Sequence, residues 1–107
     1  MSGNRNVEND ESHVGALFNI GLAMESLGRL SEADSFYKAV LREDPDHVLA
    51  HRQLGVSAVK KGLYEKATIY FQAALRLRPG DPALKEALSK ASEQWGTVQK
   101  KLDHKVH

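Results

Sequence analysis

Cysteine is absent from this chain of 107 residues, which removes disulfide frameworks, cysteine-ligated zinc and thiol catalysis together. Proline occurs only three times and no low-complexity tract is present, so no long linker is expected. No stretch approaches the roughly 18 apolar residues that a membrane-spanning helix needs. The opening residues, MSGNRNVENDES, are polar and lack the apolar run of a secretory signal. These absences lead to the expectation of a cytoplasmic protein without membrane contact. What is present is ordinary for one small globular domain: 41% hydrophobic and 27% charged residues. Net charge is close to balance at +1, yet unevenly placed. Residues 1–47 carry four Lys or Arg against nine acids, a net of −5, whereas residues 48–107 carry eleven against five, a net of +6. Such a distribution favours head-to-tail contacts or an acidic partner for the C-terminal half; the alternative is a solvated surface.

A shift of 34 residues aligns 14–47 with 48–81 without a gap. Identities fall at Val14/Val48, Ala16/Ala50, Gly21/Gly55, Gly28/Gly62, Ala33/Ala67, Ala39/Ala73, Leu41/Leu75, Arg42/Arg76 and Pro45/Pro79. Ile20/Leu54, Leu30/Tyr64, Phe36/Tyr70 and Tyr37/Phe71 keep their chemistry while changing identity. A fixed period of this length signals stacked helical pairs. Within the first unit, Leu17, Ile20, Leu22, Met24 and Leu27 are spaced as on a helix. Gly28 is expected to stop that helix through a positive φ. Ser31 is expected to cap the second helix, with Asp34 as an acidic first-turn partner. Ala33, Phe36, Tyr37, Val40 and Leu41 form its packing stripe, and Asp44-Pro45 ends it. The second unit repeats the plan, from Val48 to about Lys61 and from Tyr64 to about Leu77, with Gly62 at the turn. Asp81-Pro82 then reads as an N-cap with proline in the first turn. Leu84, Ala87, Leu88, Ala91 and Trp95 give a fifth amphipathic helix, with Gly96 as its end or a kink.

With these residues the pattern resembles the tetratricopeptide repeat family. The resemblance rests on the period, on Gly21 and Gly55 in the first helices, and on Gly28 and Gly62 in the turns. Ala33 and Ala67, Tyr37 and Phe71, and Pro45 and Pro79 complete it. It departs from the family where a large aromatic early in the first helix is replaced by Leu17 and His51. Val40 also stands where a small residue is usual, a place that Ala74 keeps in the second copy. The fold implied is all-α, a right-handed α-α superhelix (α-solenoid) of two helix-turn-helix repeats, 14–47 and 48–81, with a capping helix over 82–95. The repeat domain then covers 13–96, preceded by a flexible segment, 1–12, and followed by a helical extension or tail, 97–107. Two repeats fall below the roughly three expected for independent stability. Either the fifth helix covers one face, or another chain covers an exposed end.

The resemblance implies a concave groove lined by the first helix of each pair. Its candidate residues are Phe18, Leu22, Glu25 and Ser26, then Leu49, Arg52, Gln53, Val56, Val59 and Lys60, then Ala83, Glu86 and Lys90. The centre is apolar and the edges charged, which suits a hydrophobic peptide or an amphipathic helix, with Phe18 as the candidate anchor. Family members that grip acidic chaperone tails use a clamp of lysine, asparagine and arginine; here those places hold Phe18, Leu22, Gln53, Ala83 and Ala87. No such tail clamp is therefore expected. His47 and His51 are four apart but lack a third ligand, so a structural role is expected rather than a metal site. No catalytic constellation is legible. Basic runs such as Lys60-Lys61 and Lys100-Lys101 sit in a nearly neutral chain, so no nucleic acid partner is expected. Trp95 is expected to pack the fifth helix onto the second repeat. The reading is a non-enzymatic interaction module without cofactor or metal, an adaptor or scaffold that binds a protein or peptide. Its alternative is a homo-oligomer in which a second copy covers the groove or the open N-terminal face.

Overall fold

A computed structural model describes the backbone of residues 2–106 and the side chains of residues 13–103. The expected flexible segment, 1–12, and the last residues of the expected tail, 104–107, fall outside the described side chains. Five helices follow in order: α1 (Ser2–Ser26), α2 (Leu30–Glu43), α3 (Val48–Lys60), α4 (Tyr64–Leu77) and α5 (Pro82–Val106). No strand occurs among the described residues. The fold is all-α, two helix-turn-helix pairs and a fifth helix, as the period requires. The chain divides into two units, Met1–Ala50 and His51–His107, with the boundary inside α3.

Within the first unit α1 packs against α2. The contact forms at Ala33, Tyr37 and Val40, all fully buried and spaced four and three apart on one face of α2. Tyr37 lies so close to Gly21 that a Cβ there would stand 2.6 Å from its Cε1. Glycine at position 21 is thus what admits the ring. The second unit repeats this arrangement with Ala67, Phe71 and Ala74 buried on α4. A Cβ on Gly55 would again meet a ring carbon, Phe71 Cε1, at 2.6 Å. α5 packs on α4, burying Leu84 and Ala91. Trp95 sits half-buried beside the turn at Gly62 and Leu63 and the first residues of α4, as expected of a closing helix.

The turns end α1 and α3 in the same way. Gly28 and Gly62 have φ of 78° and 76°. Gly28 N donates to Glu25 O and Arg29 N to Met24 O; Gly62 N donates to Val59 O and Leu63 N to Ala58 O. Each set is a Schellman motif, which satisfies carbonyls that the helix end would otherwise leave open. This turn corrects the expectation for Ser31. The left-handed glycine delivers the chain into α2 at Leu30, so Arg29 holds the cap position without a side-chain cap bond and Ser31 lies in the first turn. The acid that meets the start of α2 is Glu32, paired with Arg29 across 3.7 Å at the surface. Asp81 caps α5 as expected: its Oδ1 accepts from Ala83 N at 2.9 Å and Leu84 N at 3.2 Å. Gly96 neither ends nor interrupts the assigned helix, which runs on to Val106.

Candidate protein-binding pocket

In the second unit α3 presents Val56, Val59 and Lys60 within one turn, and α5 presents Ala87, Lys90, Ala91 and Gln94 at i, i+3, i+4 and i+7. Both spacings place the side chains on one helical face. Tyr64 and Phe71 of α4 complete the lining. Together these residues surround an open, almost wholly apolar cavity of about 420 Å³. Its size falls in the range of small-ligand and side-chain pockets. The charged groups in the lining are both lysines, Lys60 and Lys90, and both are exposed. Lys90 Nζ also lies 3.9 Å from Glu86 Oε2, one turn earlier on α5. Such an exposed pair is worth well under about 1 kcal/mol.

The matching positions in the first unit carry different chemistry. Val59 corresponds to Glu25 and Phe71 to Tyr37, each 34 residues apart. Tyr37 donates its hydroxyl to Glu25 Oε1 at 2.6 Å. A buried phenol requires an acceptor, and Glu25 supplies it. Phe71 has no hydroxyl, which releases position 59 from that duty and allows valine there. Phe18 packs its ring against Tyr37 and His47, with centroid separations of 5.6 and 5.1 Å. His47 in turn accepts a hydrogen bond from Ala50 N through Nδ1 at 3.1 Å, capping the start of α3.

Two models of the tetratricopeptide repeat match the chain, one over residues 15–47 and one over residues 33–82. The chain belongs to the tetratricopeptide repeat family. Its fold is accordingly that of an α-helical repeat solenoid. The two matches together run from α1 to the first residue of α5 and overlap over residues 33–47, most of α2 and the loop after it. Tetratricopeptide repeats generally mediate contacts between proteins and are typically not catalytic. Among the described residues no helix is long and apolar enough to cross a membrane.

Of the groove candidates in the second unit, Val56, Val59, Lys60 and Lys90 converge on the cavity. Arg52, Gln53 and Glu86 do not line it. In the first unit Glu25 is engaged by Tyr37 and Phe18 is half-buried between two rings, while Leu22 and Leu49 are exposed. In the sequence Phe71 and Ala91 read as packing residues, Tyr64 as a matched position at the start of a helix, and Gln94 has no assigned role. The signal that places Ala91 and Gln94 in the lining is their i+4 and i+7 spacing from Ala87.

Proposed function

We propose that this tetratricopeptide repeat protein is a non-catalytic adaptor or scaffold module that holds a peptide or amphipathic helix of another protein. An apolar side chain of the partner enters the cavity between α3 and α5. The observation that carries this reading is the cavity itself, apolar, open and lined from three helices of one unit. Burying one Leu or Phe side chain there contributes about 1.5–3 kcal/mol. Peptides selected from a display library against the protein are expected to bind with roughly micromolar affinity. They should weaken at least ~10-fold in Val59→Glu, a change of about 1.4 kcal/mol. Failure to enrich any peptide, or selected peptides indifferent to that substitution, overturns the reading. Peptides ending in an acidic chaperone-type tail are expected to bind weakly, because Phe18, Leu22, Gln53, Ala83 and Ala87 stand where clamp side chains would be needed.

A second reading, self-association, is favoured by the outer face of α1. Ile20 is 40% exposed whereas its counterpart Leu54 is 2% exposed, and Leu27 is 66% exposed. A second copy covering this face would remove Ile20 and Leu27 from water. Light scattering across concentrations is expected to show a dimer that Ile20→Glu dissociates. A monomer at all concentrations discards this second reading.

A further inference from the structure

From the pair of lysines that flank the apolar cavity of the second unit, we infer that its partner is an acidic segment: a bulky apolar residue flanked by Asp or Glu side chains. This inference rests on the cavity being the binding site and adds the chemistry of what binds there. Lys60 comes from the last turn of α3 and Lys90 from the middle of α5, so the two charges approach from different helices. No carboxylate lines the cavity among the described residues. The remaining polar liner, Gln94, is neutral. The unit as a whole is also positively charged, residues 51–107 carrying eleven Lys or Arg against five acids.

An apolar side chain that enters the cavity brings its neighbours in sequence to the rim where the ammonium groups stand. Acidic neighbours would be held there and basic ones repelled. The lysine stems are themselves apolar and can cover an inserted side chain while their heads remain in water. The Glu86 pairing does not cancel this field at Lys90, since an exposed contact of 3.9 Å exchanges readily for a better-placed carboxylate. The acid is contributed by side chains rather than by a chain terminus. Nothing in the lining offers the fixed, multiple donors that an end carboxylate needs.

The test uses the whole protein and three pentapeptides, each acetylated and amidated so that no terminal charge remains. All have a central phenylalanine, flanked on both sides by glutamates, by glutamines or by lysines. Binding is followed at low ionic strength through the backbone amide NMR shifts of Val56, Val59, Ala87 and Ala91. The glutamate peptide is expected to bind about 3- to 10-fold more tightly than the glutamine peptide, and the lysine peptide more weakly than either. The spread should shrink when salt is raised. It should vanish in a Lys60→Gln/Lys90→Gln protein whose circular dichroism and melting match wild type. Equal affinity for the glutamate and glutamine peptides, or an unchanged order in the double variant, overturns the acidic-partner inference and leaves the cavity as a binding site. Absence of shifts at the cavity with all three peptides overturns both.

Discussion

In the first unit Tyr37 lies against Gly21 and donates its hydroxyl to Glu25; in the second, Phe71 lies against Gly55 and shares an open cavity with Val59. The ring-on-glycine contact is common to both, at the same 2.6 Å limit for an added Cβ. It closes each helix pair and recurs at the period of 34 residues. What differs is one oxygen atom. A phenol buried at Tyr37 demands an acceptor, and the acceptor has to come from the adjacent helix. A phenyl ring at Phe71 demands none, so the corresponding position on α3 is free to be apolar. The comparison separates two tasks that repeats of this kind combine. The glycine and the ring carbon skeleton hold the pair together, and the ring substituent with its partner decides what surface the pair offers.

The sharpest test of the shared part is to fill the glycines. Helix propensity alone favours Gly→Ala by roughly 1 kcal/mol. The ring contacts reverse the sign: Gly21→Ala and Gly55→Ala are each expected to destabilise by about 2 kcal/mol, because a buried ring must move. Thermal and denaturant unfolding measure this. A gain in stability from either variant would break the claim that these glycines exist to admit a ring.

The part that differs predicts the next largest effect. Tyr37→Phe removes the hydroxyl that donates to Glu25 and is expected to cost about 1.5 kcal/mol in urea unfolding. Its mirror, Phe71→Tyr, adds a hydroxyl at the cavity wall and is expected to cost about 1 kcal/mol. Val59→Glu in the same chain should recover most of that loss. A double-mutant cycle showing no coupling between positions 59 and 71 would mean that the two units are not alternatives of one design.

A smaller effect, of opposite sign, lies at Ser57. Its side chain is buried and its hydroxyl has no hydrogen-bond partner, while the counterpart in the first unit is Ala23. Ser57→Ala, which copies the first unit, is expected to gain about 1 kcal/mol. A melting temperature lowered by the change would contradict this. The smallest comparison concerns helix starts. Asp81→Ala removes two cap bonds from α5 and is expected to cost about 1 kcal/mol. Arg29→Ala at the start of α2, where no side-chain cap bond exists, should stay within about 0.5 kcal/mol of wild type.

Much of this was legible in the residues because it is local. Gly28 and Gly62 announce their left-handed turns, Asp81-Pro82 announces the start of α5, and the Ala33/Ala67 and Tyr37/Phe71 stripes announce the buried faces. Ser31 is misleading because serine before an acid also suits a first turn; the Schellman turn at Gly28 puts Arg29 in the cap position, two residues before Ser31. The Glu25–Tyr37 bond was harder to see. Its two members are twelve residues apart on different helices, and each taken singly looks like a conservative or surface change. Only their simultaneous replacement by Val59 and Phe71 carries the signal. For the same reason Tyr64 and Phe71 looked like packing alone: nothing along the chain says that a buried ring also borders an opening.

We propose that the second unit offers an apolar binding surface because it lacks the polar pair that the first unit has. Placing that pair in the second unit, as Val59→Glu/Phe71→Tyr, tests it most directly. The measurement is the affinity of the glutamate-flanked phenylalanine peptide for this variant, with helicity and melting temperature recorded on the same sample. The account predicts a folded protein whose affinity for the peptide falls at least ~10-fold, about 1.4 kcal/mol. A folded variant that binds the peptide as tightly as wild type would contradict it.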